Sequence, residues 1–313
     1  MSASELLAID HFELWGTVGA VCVTDARRLG DARAILDEAI DIVERACSRF
    51  RPDAELAALN SAAGQGPFRV SETLFDLIAA ATDAARLTGG ACDPTVLPAL
   101  LALGYDTDIE AIRGRDLDGG LAAHRAPGVT AISTDRPSMT VSLAPGCAID
   151  LGAVGKAWCA DLAAERIEHR LSVGCVVDLG GDLRVAGPAP SGGWHVAVAR
   201  DARQDAAAAD ETVAVSTGGV ATSSTRLRRW RRGGVEVHHI VDPSTGLPAD
   251  SPWSEVTVAA ATCTRANALS TAAVVWGEDA VFEIPQRGAA ARLVRHDGGI
   301  ERVGGWPEPE DPR

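Results

Sequence analysis

A run of short strand-like segments in the second half of the chain places the tightest limit on its fold. Five segments from residue 194 onward are rich in β-branched and apolar residues: WHVAVA, TVAVST, VEVHHIVD, SEVTVAAA and ARLVRHDGGIERVG. Many follow one another without the long crossover that a parallel pair would need, and therefore favour antiparallel pairing. We expect an α+β fold with mixed, largely antiparallel sheets flanked by helices, and not a doubly wound parallel sheet.

Helices are predicted mainly in the first half of the chain. After a strand pair or a kinked strand at Glu13–Thr24, apolar residues spaced three and four apart predict a helix packed on a sheet. The members of that stripe are Ile35, Ala39, Ile42, Val43, Ala46 and Phe50. Ser71 is placed to cap the next helix, and Gly89-Gly90 to end it. A strand at Met139–Ala144 and a helix from about Val154 follow.

The chain shows no clear domain linker, so we expect a single domain over residues 1–313. Residues from about 106 to 140 are polar and rich in Asp, Gly, Arg and Pro, which indicates an excursion between regular elements. The acidic, proline-rich end at residues 304–313 is predicted to be a frayed tail.

The charge and the apolar pattern exclude several classes of protein. A formal net charge of −14 argues against nucleic acid or anionic membrane as a general partner. No apolar run approaches the roughly 20 residues of a membrane helix, so we expect no membrane insertion. The first residues, MSASELLAIDHFELWG, lack the features of a signal peptide, which predicts a cytoplasmic protein. The seven cysteines are scattered singly, as in a reduced core.

The stretch AIDLGAVGKAW contains Lys156, the only lysine in the chain, whereas the other 28 of the 29 basic residues are arginine. A P-loop is rejected because Asp150 and Ala157 occupy its required glycine and Ser/Thr positions. What remains is a glycine-rich turn between a strand and a helix start, beside an ammonium group. Exposed backbone N–H groups and the positive helix end make this a candidate anion site. A tight connection that needs glycine only for its backbone conformation is the alternative.

The stretch HHIVDPSTGLP, residues 238–248, combines a turn with two histidines. Adjacent residues of a strand point to opposite faces, so the two histidines cannot bind one metal together. His239 lies three residues from Asp242, and a histidine beside a carboxylate is the usual pattern of a general base. By composition DPSTG is also a turn that needs no catalytic explanation.

A third cluster lies in the segment TRANALST, residues 264–271. Thr264 can cap a helix that runs to about Trp276. The side chains of Asn267, Ser270 and Thr271 then place three oxygen atoms on its first two turns. Oxygen ligands suit Mg²⁺, especially beside a substrate phosphate, but the same residue types near a helix start often serve only as caps.

Taken in order, eight blocks of the sequence resemble the successive motifs of the ApbE family, the FAD:protein FMN transferases. They are WGTVGAV, SRFRPDAELAALN, DPTV, DLGAVGKAWCAD, DLGGDLRVAG, ATSS, HHIVDPSTGLP and ANALSTAAVV, and the resemblance covers residues from about 12 to 285. The resemblance implies an ApbE-like fold and Mg²⁺-dependent transfer of FMN from FAD, with release of AMP. The acceptor would be a Ser or Thr hydroxyl of a protein with an FMN-binding domain.

The resemblance also implies a role for individual residues. His239 would be the base for the target hydroxyl, with Asp242 orienting its turn. The residues at FAD would be Trp15, Phe50, Leu103, Gly104, Tyr105, Asp150, Lys156 and Val241. The residues at Mg²⁺ would be Ala153, through its carbonyl oxygen, Asn267, Ser270 and Thr271. Thr222 and Ser223 would shape the site.

The chain departs from the family pattern at several positions. Asn267 stands where the family's metal motif has aspartate, so one formal negative charge is missing. Ala153 and Ala157 replace common glycines of the turn, and Ser224 replaces the glycine of ATSG. Two alternatives to the transferase remain: a Mg²⁺-dependent FAD diphosphatase that releases FMN and AMP, or an FAD-binding protein with impaired catalysis. A serine hydrolase is disfavoured because the chain has no G-x-S-x-G motif.

Overall fold

The computed structural model describes residues 7–112, 116–198, 209 and 211–307. In chain order the strands are β1 (Ala8–Leu14), β2 (Thr17–Val23), β3 (Phe68–Arg69), β4 (Asp116–Leu117), β5 (Ile132–Asp135), β6 (Thr140–Leu143), β7 (Cys175–Leu179), β8 (Asp182–Ala186), β9 (Trp194–Val198), β10 (Glu211–Val215), β11 (Gly218–Ser224), β12 (Arg229–Arg232), β13 (Val235–His238), β14 (Val241–Asp242), β15 (Leu247–Pro248), β16 (Trp253–Ala260), β17 (Ala290–Arg295) and β18 (Ile300–Val303). The helices are α1 (Leu29–Cys47), α2 (Glu55–Ser61), α3 (Glu72–Leu87), α4 (Leu97–Ala102), α5 (Ile109–Ile112), α6 (Gly155–Leu171), α7 (Cys263–Trp276) and α8 (Ala280–Gln286).

An eight-stranded sheet in the order β1-β2-β7-β8-β11-β16-β17-β18 forms the centre of the molecule. Neighbouring strands in this sheet are antiparallel, and β1–β2, β7–β8 and β17–β18 are hairpins. Smaller sheets combine β3-β6-β5, β13-β12-β4, β9-β10 and β14-β15, and the β12–β4 pair is parallel. The predicted α+β class with mixed, largely antiparallel sheets is therefore confirmed.

Helices α1 and α6 bury their apolar faces against β2 and β7, around Val21, Leu36 and Val177, and α3 packs on α1 and α6 in the same core. Helices α7 and α8 pack on β16 and β17 around Val256, Leu269 and Leu293. The β9–β10 ribbon contributes Trp194 to a separate cluster with Leu183 and Val185 of β8. No helix in the described part of the chain is both long and apolar enough to cross a membrane.

The predicted helix positions are largely found, with two corrections at helix ends. Ser71 caps α3 by accepting a hydrogen bond from the Leu74 amide at 3.2 Å, as expected. Helix α1 ends at Cys47 because Ser48 is extended, so Phe50 lies beyond it and is not part of its apolar stripe. The Phe50 side chain is exposed and packs on the guanidinium of Arg49.

The second correction concerns the start of α7. The cap is Thr262, whose hydroxyl accepts from the Arg265 amide at 3.1 Å, and not Thr264. Thr264 lies in the first helical turn and donates its hydroxyl to Asp161 of α6 at 2.7 Å. Asp161 also accepts from the amides of Cys263 and Thr264, both at 2.9 Å. One buried carboxylate on α6 therefore fixes the N-terminus of α7.

Replacing this carboxylate should destabilise the fold. Asp161→Ala leaves buried amide donors without an acceptor, and we expect the free energy of unfolding to fall by about 2–4 kcal/mol in urea denaturation. Thr262→Ala removes only the local cap and should cost about 1 kcal/mol. Equal losses for the two variants would contradict the assignment of Asp161 as the main anchor of α7.

The described residues of the polar segment from 106 to 140 include α5, β4, a 3-10 turn at Val129–Ala131 and β5. The Ala126 amide donates to the Pro243 carbonyl at 2.9 Å, so this excursion lies against the DPSTG turn. At the other end of the chain, Trp306 is buried and donates to Glu211 at 2.6 Å. The predicted tail is thus held as far as Trp306, and residues 308–313 lie outside the described part.

Candidate functional site

A cavity of about 960 Å³ brings together the motifs that the sequence singled out. Its volume is near the upper end for ligand pockets. Its walls are formed by the β1–β2 turn, the segment after α1, the turn before α6, the β7–β8 hairpin, β11, residues 239–241 and α7. Ten residues proposed from the sequence line it: Trp15, Phe50, Tyr105, Asp150, Ala153, Lys156, His239, Val241, Asn267 and Thr271.

The turn before α6 is held by its own aspartate. Asp150 accepts a hydrogen bond from the Gly152 amide at 2.8 Å, which closes the turn, and its other oxygen lies 2.9 Å from Nε of Arg49. Both side chains of this ion pair are about nine-tenths buried. The pair directs the turn so that Ala153 and Lys156 face the cavity.

Arg49 lies at the centre of the aromatic wall. Its guanidinium carbon is 4.2 Å from the ring centroids of both Phe50 and Tyr105, and its Nη1 donates to the Tyr105 carbonyl at 2.6 Å. The Arg49 Nη2 atom is buried, and its N–H groups have no hydrogen-bond acceptor among the described residues. A cation stacked between two rings is favourable and leaves a donor available beside the cavity.

Leu103 and Gly104 support this wall from behind and do not line the cavity. The Leu103 side chain is fully buried, and its carbonyl accepts from the indole of Trp230 at 2.8 Å. Gly104 has a φ of 89°, and a Cβ at this position would collide with Leu117. Their role at the cavity is thus to place Tyr105, which does line it.

The two adjacent histidines lie in different surroundings, but only His238 belongs to a strand, because β13 ends at this residue. His238 is buried, and its Nε2 lies 3.1 Å from the Ala249 carbonyl. His239 lines the cavity, and its Nδ1 is buried with no hydrogen-bond partner among the described residues. Asp242 does not line the cavity; its carboxylate accepts from the Ser244 amide at 2.8 Å within the turn. The structure therefore places Asp242 as a turn residue and His239 as the residue of this segment that faces the cavity.

The environment of His239 favours its neutral form. Burial lowers its pKa well below the usual 6.5, and the positive charge of Arg228 lowers the pKa further. Lys156 and Arg49 act on the pKa in the same direction. Because a neutral imidazole can accept a proton, His239 is suited to be a base at neutral pH.

The three oxygen-bearing residues of α7 do not share one environment. Asn267 and Thr271 face the cavity, and the Thr271 hydroxyl donates to Asn267 Oδ1 at 3.2 Å. Ser270 is fully buried on the side of the sheet, where its hydroxyl lies 2.8 Å from that of Ser223 on β11. Ser223 also lies 3.2 Å from the Thr271 hydroxyl, so it links the buried and exposed parts of the cluster.

Two carboxylates of the β7–β8 hairpin line the cavity and were not among the predicted site residues. Asp182 lies 2.7 Å from Nζ of Lys156 and accepts from Asn267 Nδ2 at 3.1 Å. Burial raises the pKa of Asp178 to about 6, and the charge of Asp182 raises it in the same direction. Both residues, like Arg49 and Arg228, lie in or close to the recognised blocks, which was the only signal that could have found them.

Trp15 reaches the cavity through a strained turn. Trp15 and Gly16 join β1 to β2 with φ values of 48° and 72°, the two positive angles that a type I′ turn requires. A bulky residue rarely adopts this conformation, and such strain is concentrated at functional sites.

A pair of variants separates the strain of this turn from the role of its side chain. Trp15→Ala and Trp15→Gly both remove the indole, but only glycine adopts a positive φ without cost. We expect Trp15→Gly to be more stable than Trp15→Ala by about 1 kcal/mol in urea denaturation. A lower stability for the glycine variant would contradict strain at this position.

Comparisons with known proteins agree with this arrangement. The sequence profile of the ApbE family matches residues 15–293. A protein of Treponema pallidum named FAD:protein FMN transferase is 32% identical over 282 residues, covering 84% of this chain and 76% of that protein. An Escherichia coli K12 protein of the same name is 25% identical over 291 residues, covering 91% and 82%. The crystal structure of the ApbE protein of Thermotoga maritima has a TM-score of 0.80 at 28% identity, covering 95% and 97%. The chain belongs to the ApbE family.

Proposed function

We propose that this protein is an FAD:protein FMN transferase, which transfers FMN from FAD to a Ser or Thr hydroxyl of an acceptor protein with an FMN-binding domain. The observation that carries the proposal is one cavity lined by a neutral histidine, a cationic wall and an aromatic wall. Aromatic residues suit a flavin ring, and Arg49, Lys156 and Arg228 suit a diphosphate. The names of the relatives support the same reaction.

The residues present also fit Mg²⁺. Ala153, Asn267 and Thr271 all line the cavity. The backbone carbonyl of Ala153, Oδ1 of Asn267 and Oγ1 of Thr271 are hard oxygen donors, the ligand type that Mg²⁺ takes when substrate phosphates complete its shell. Ser270 would support the position of this cluster through its neighbours, because its hydroxyl donates to the Asn267 backbone carbonyl at 3.1 Å and lies 2.8 Å from the Ser223 hydroxyl. When bound, the ion would neutralise charge on the diphosphate.

The proposed chemistry is a displacement at phosphorus. The acceptor hydroxyl oxygen forms a bond to the phosphorus of the FMN half, the bond from that phosphorus to the bridging oxygen breaks, and AMP leaves with that oxygen. His239 takes the proton of the attacking hydroxyl, for which its low pKa keeps it neutral. Arg49, Lys156 and Arg228 hold the negative charge of the diphosphate during the transfer.

An acceptor assay tests the proposal. Purified protein is mixed with FAD, Mg²⁺ and an FMN-binding-domain acceptor, and we expect a fluorescent flavin band that survives denaturing electrophoresis. The matched control is the same acceptor with its target Ser or Thr replaced by Ala, which should give no band. Free FMN and AMP without acceptor would instead indicate a diphosphatase. Bound FAD without either product would indicate a protein that only binds FAD.

A further inference from the structure

Asp182 lies between Lys156 and Asn267 in the cavity wall, and the proposed reaction assigns it no role. Its side chain is 3% exposed, and it lines the cavity as the first residue of β8. One carboxylate oxygen accepts from Asn267, and the other lies 2.7 Å from Lys156 Nζ but accepts no hydrogen bond from a described residue. A buried carboxylate with lone pairs left over is poised to bind a cation.

The other carboxylates of the cavity wall are less suited to this task. Asp150 is committed to Arg49 and to its own turn. Asp93 is committed to Thr95, which donates to it through both amide and hydroxyl. Asp178 is committed to its own hairpin, where it accepts from the Gly181 amide at 2.8 Å. Asp182 alone among these four bonds directly to the oxygen-bearing cluster of α7.

Asn267 places a neutral amide directly beside the Asp182 carboxylate. The side-chain nitrogen of Asn267 donates to Asp182, and its side-chain oxygen accepts from Thr271. The Asn267 side chain carries no charge. A carboxylate at position 267 would instead place two negative charges next to each other, which is unfavourable without a bound cation. The amide therefore leaves the negative charge of this cluster on Asp182.

We infer that Asp182 supplies the anionic ligand for the divalent cation of the proposed transferase, and that Lys156 and the cation compete for its carboxylate. This inference rests on the proposed function of the same cavity. In the ligand-free protein Lys156 neutralises Asp182 at 2.7 Å. When the cation takes over the carboxylate, the lysine ammonium is released toward the diphosphate, since a flexible stem lets it move between nearby anions.

If Lys156 and the cation compete for the Asp182 carboxylate, replacing Asp182 and replacing Lys156 should change the Mn²⁺ affinity in opposite directions. Mn²⁺ is used as the probe, and its binding to the protein without FAD is measured by electron paramagnetic resonance. Asp182→Asn should weaken Mn²⁺ binding by about tenfold or more, because it removes the charged ligand. Lys156→Met should strengthen Mn²⁺ binding by at least about threefold, because it removes the competing cation. Glu168→Gln is the control: like Asp182→Asn it removes one negative charge, but from the exposed face of α6, and it should leave the Mn²⁺ affinity unchanged.

The outcomes separate this inference from the proposed function. Unchanged Mn²⁺ affinity in Asp182→Asn, weaker binding in Lys156→Met, or no Mn²⁺ binding by the unaltered protein would each overturn the inference. If Asp182→Asn fails to fold, Lys156→Met still decides, because it leaves the carboxylate in place. A third result is also informative: the Mn²⁺ affinities change as expected, but the protein transfers FMN to no acceptor. This result would overturn the proposed transferase function and leave Asp182 as the cation ligand.

Discussion

Replacing His239 with alanine is expected to lower the rate of FMN transfer by about 10²–10⁴-fold, the usual contribution of a general base. The affinity for FAD should change far less, because in the proposed function the diphosphate would be held by Arg49, Lys156 and Arg228, which also line the cavity. Single-turnover transfer and a separate FAD titration measure the two effects. The matched control is His238→Gln, which removes the buried neighbour and should reduce stability while transfer persists. Equal loss of transfer in both variants would indicate a structural role for this segment.

The pH dependence gives a second readout of the same residue. Because burial and Arg228 lower the pKa of His239 below 6.5, the base is neutral at pH 7, and the rate should fall only on the acid side of 6.5. Arg228→Gln removes a positive charge and raises the pKa of His239, so the acid limb of the rate profile should move to higher pH. A limb that stays in place would argue against His239 as the titrating group.

The same pKa has a consequence for stability. Between the lowered pKa and 6.5 the unfolded chain protonates this imidazole while the folded protein does not. The contribution of His239 to stability is therefore fully present above pH 6.5 and is lost as the pH falls below it. Unfolding in urea at pH 7.5 and 5.5 should show a smaller acid loss for His239→Gln than for the unaltered protein.

Local patterns predicted those parts of the fold that depend on neighbouring residues. The cap of α3 at Ser71 and the DPSTG turn follow from residue type and spacing, and Gly246 of that turn adopts a φ of 71°. The cap of α7 was misplaced because Thr262 and Thr264 are equivalent by residue type. The choice is made by Asp161, which is 103 residues away from Thr264 in the chain and takes its hydroxyl.

The partners of the site residues could not be predicted from local patterns, because they lie far away in the chain. Asp182 lies 85 residues from Asn267, and Arg49 lies on a different element from Asp150. Sequence spacing placed Asn267, Ser270 and Thr271 on adjoining parts of one helix, but it did not say which side faces the sheet. The packing of α7 on β11 decides this, and it turns Ser270 toward Ser223 and away from the cavity.

Replacing Lys156 is the second change with a large expected effect. Lys156→Ala removes a charged donor to the diphosphate, which is worth about 1.5–3 kcal/mol and corresponds to a roughly 10- to 150-fold higher Kd for FAD. Lys156→Arg keeps the charge, but its planar fork cannot replace a compact ammonium in a crowded site, so we expect only partial recovery. Fluorescence titration with FAD at saturating Mg²⁺ and without acceptor measures this affinity in the state in which the cation, and not Lys156, would hold the Asp182 carboxylate.

The ion pair with Asp182 complicates a single replacement, because Lys156→Ala leaves a buried carboxylate without its counter-ion. The double variant Lys156→Met with Asp182→Asn removes both charges and separates the two roles. If Lys156 only neutralises Asp182, the double variant should regain stability and bind FAD as well as Asp182→Asn does. If Lys156 also binds the diphosphate, the double variant should regain stability, while its FAD affinity stays below that of Asp182→Asn. We expect the second result, because a charged donor to a phosphate strengthens binding beyond its effect on a neighbouring carboxylate.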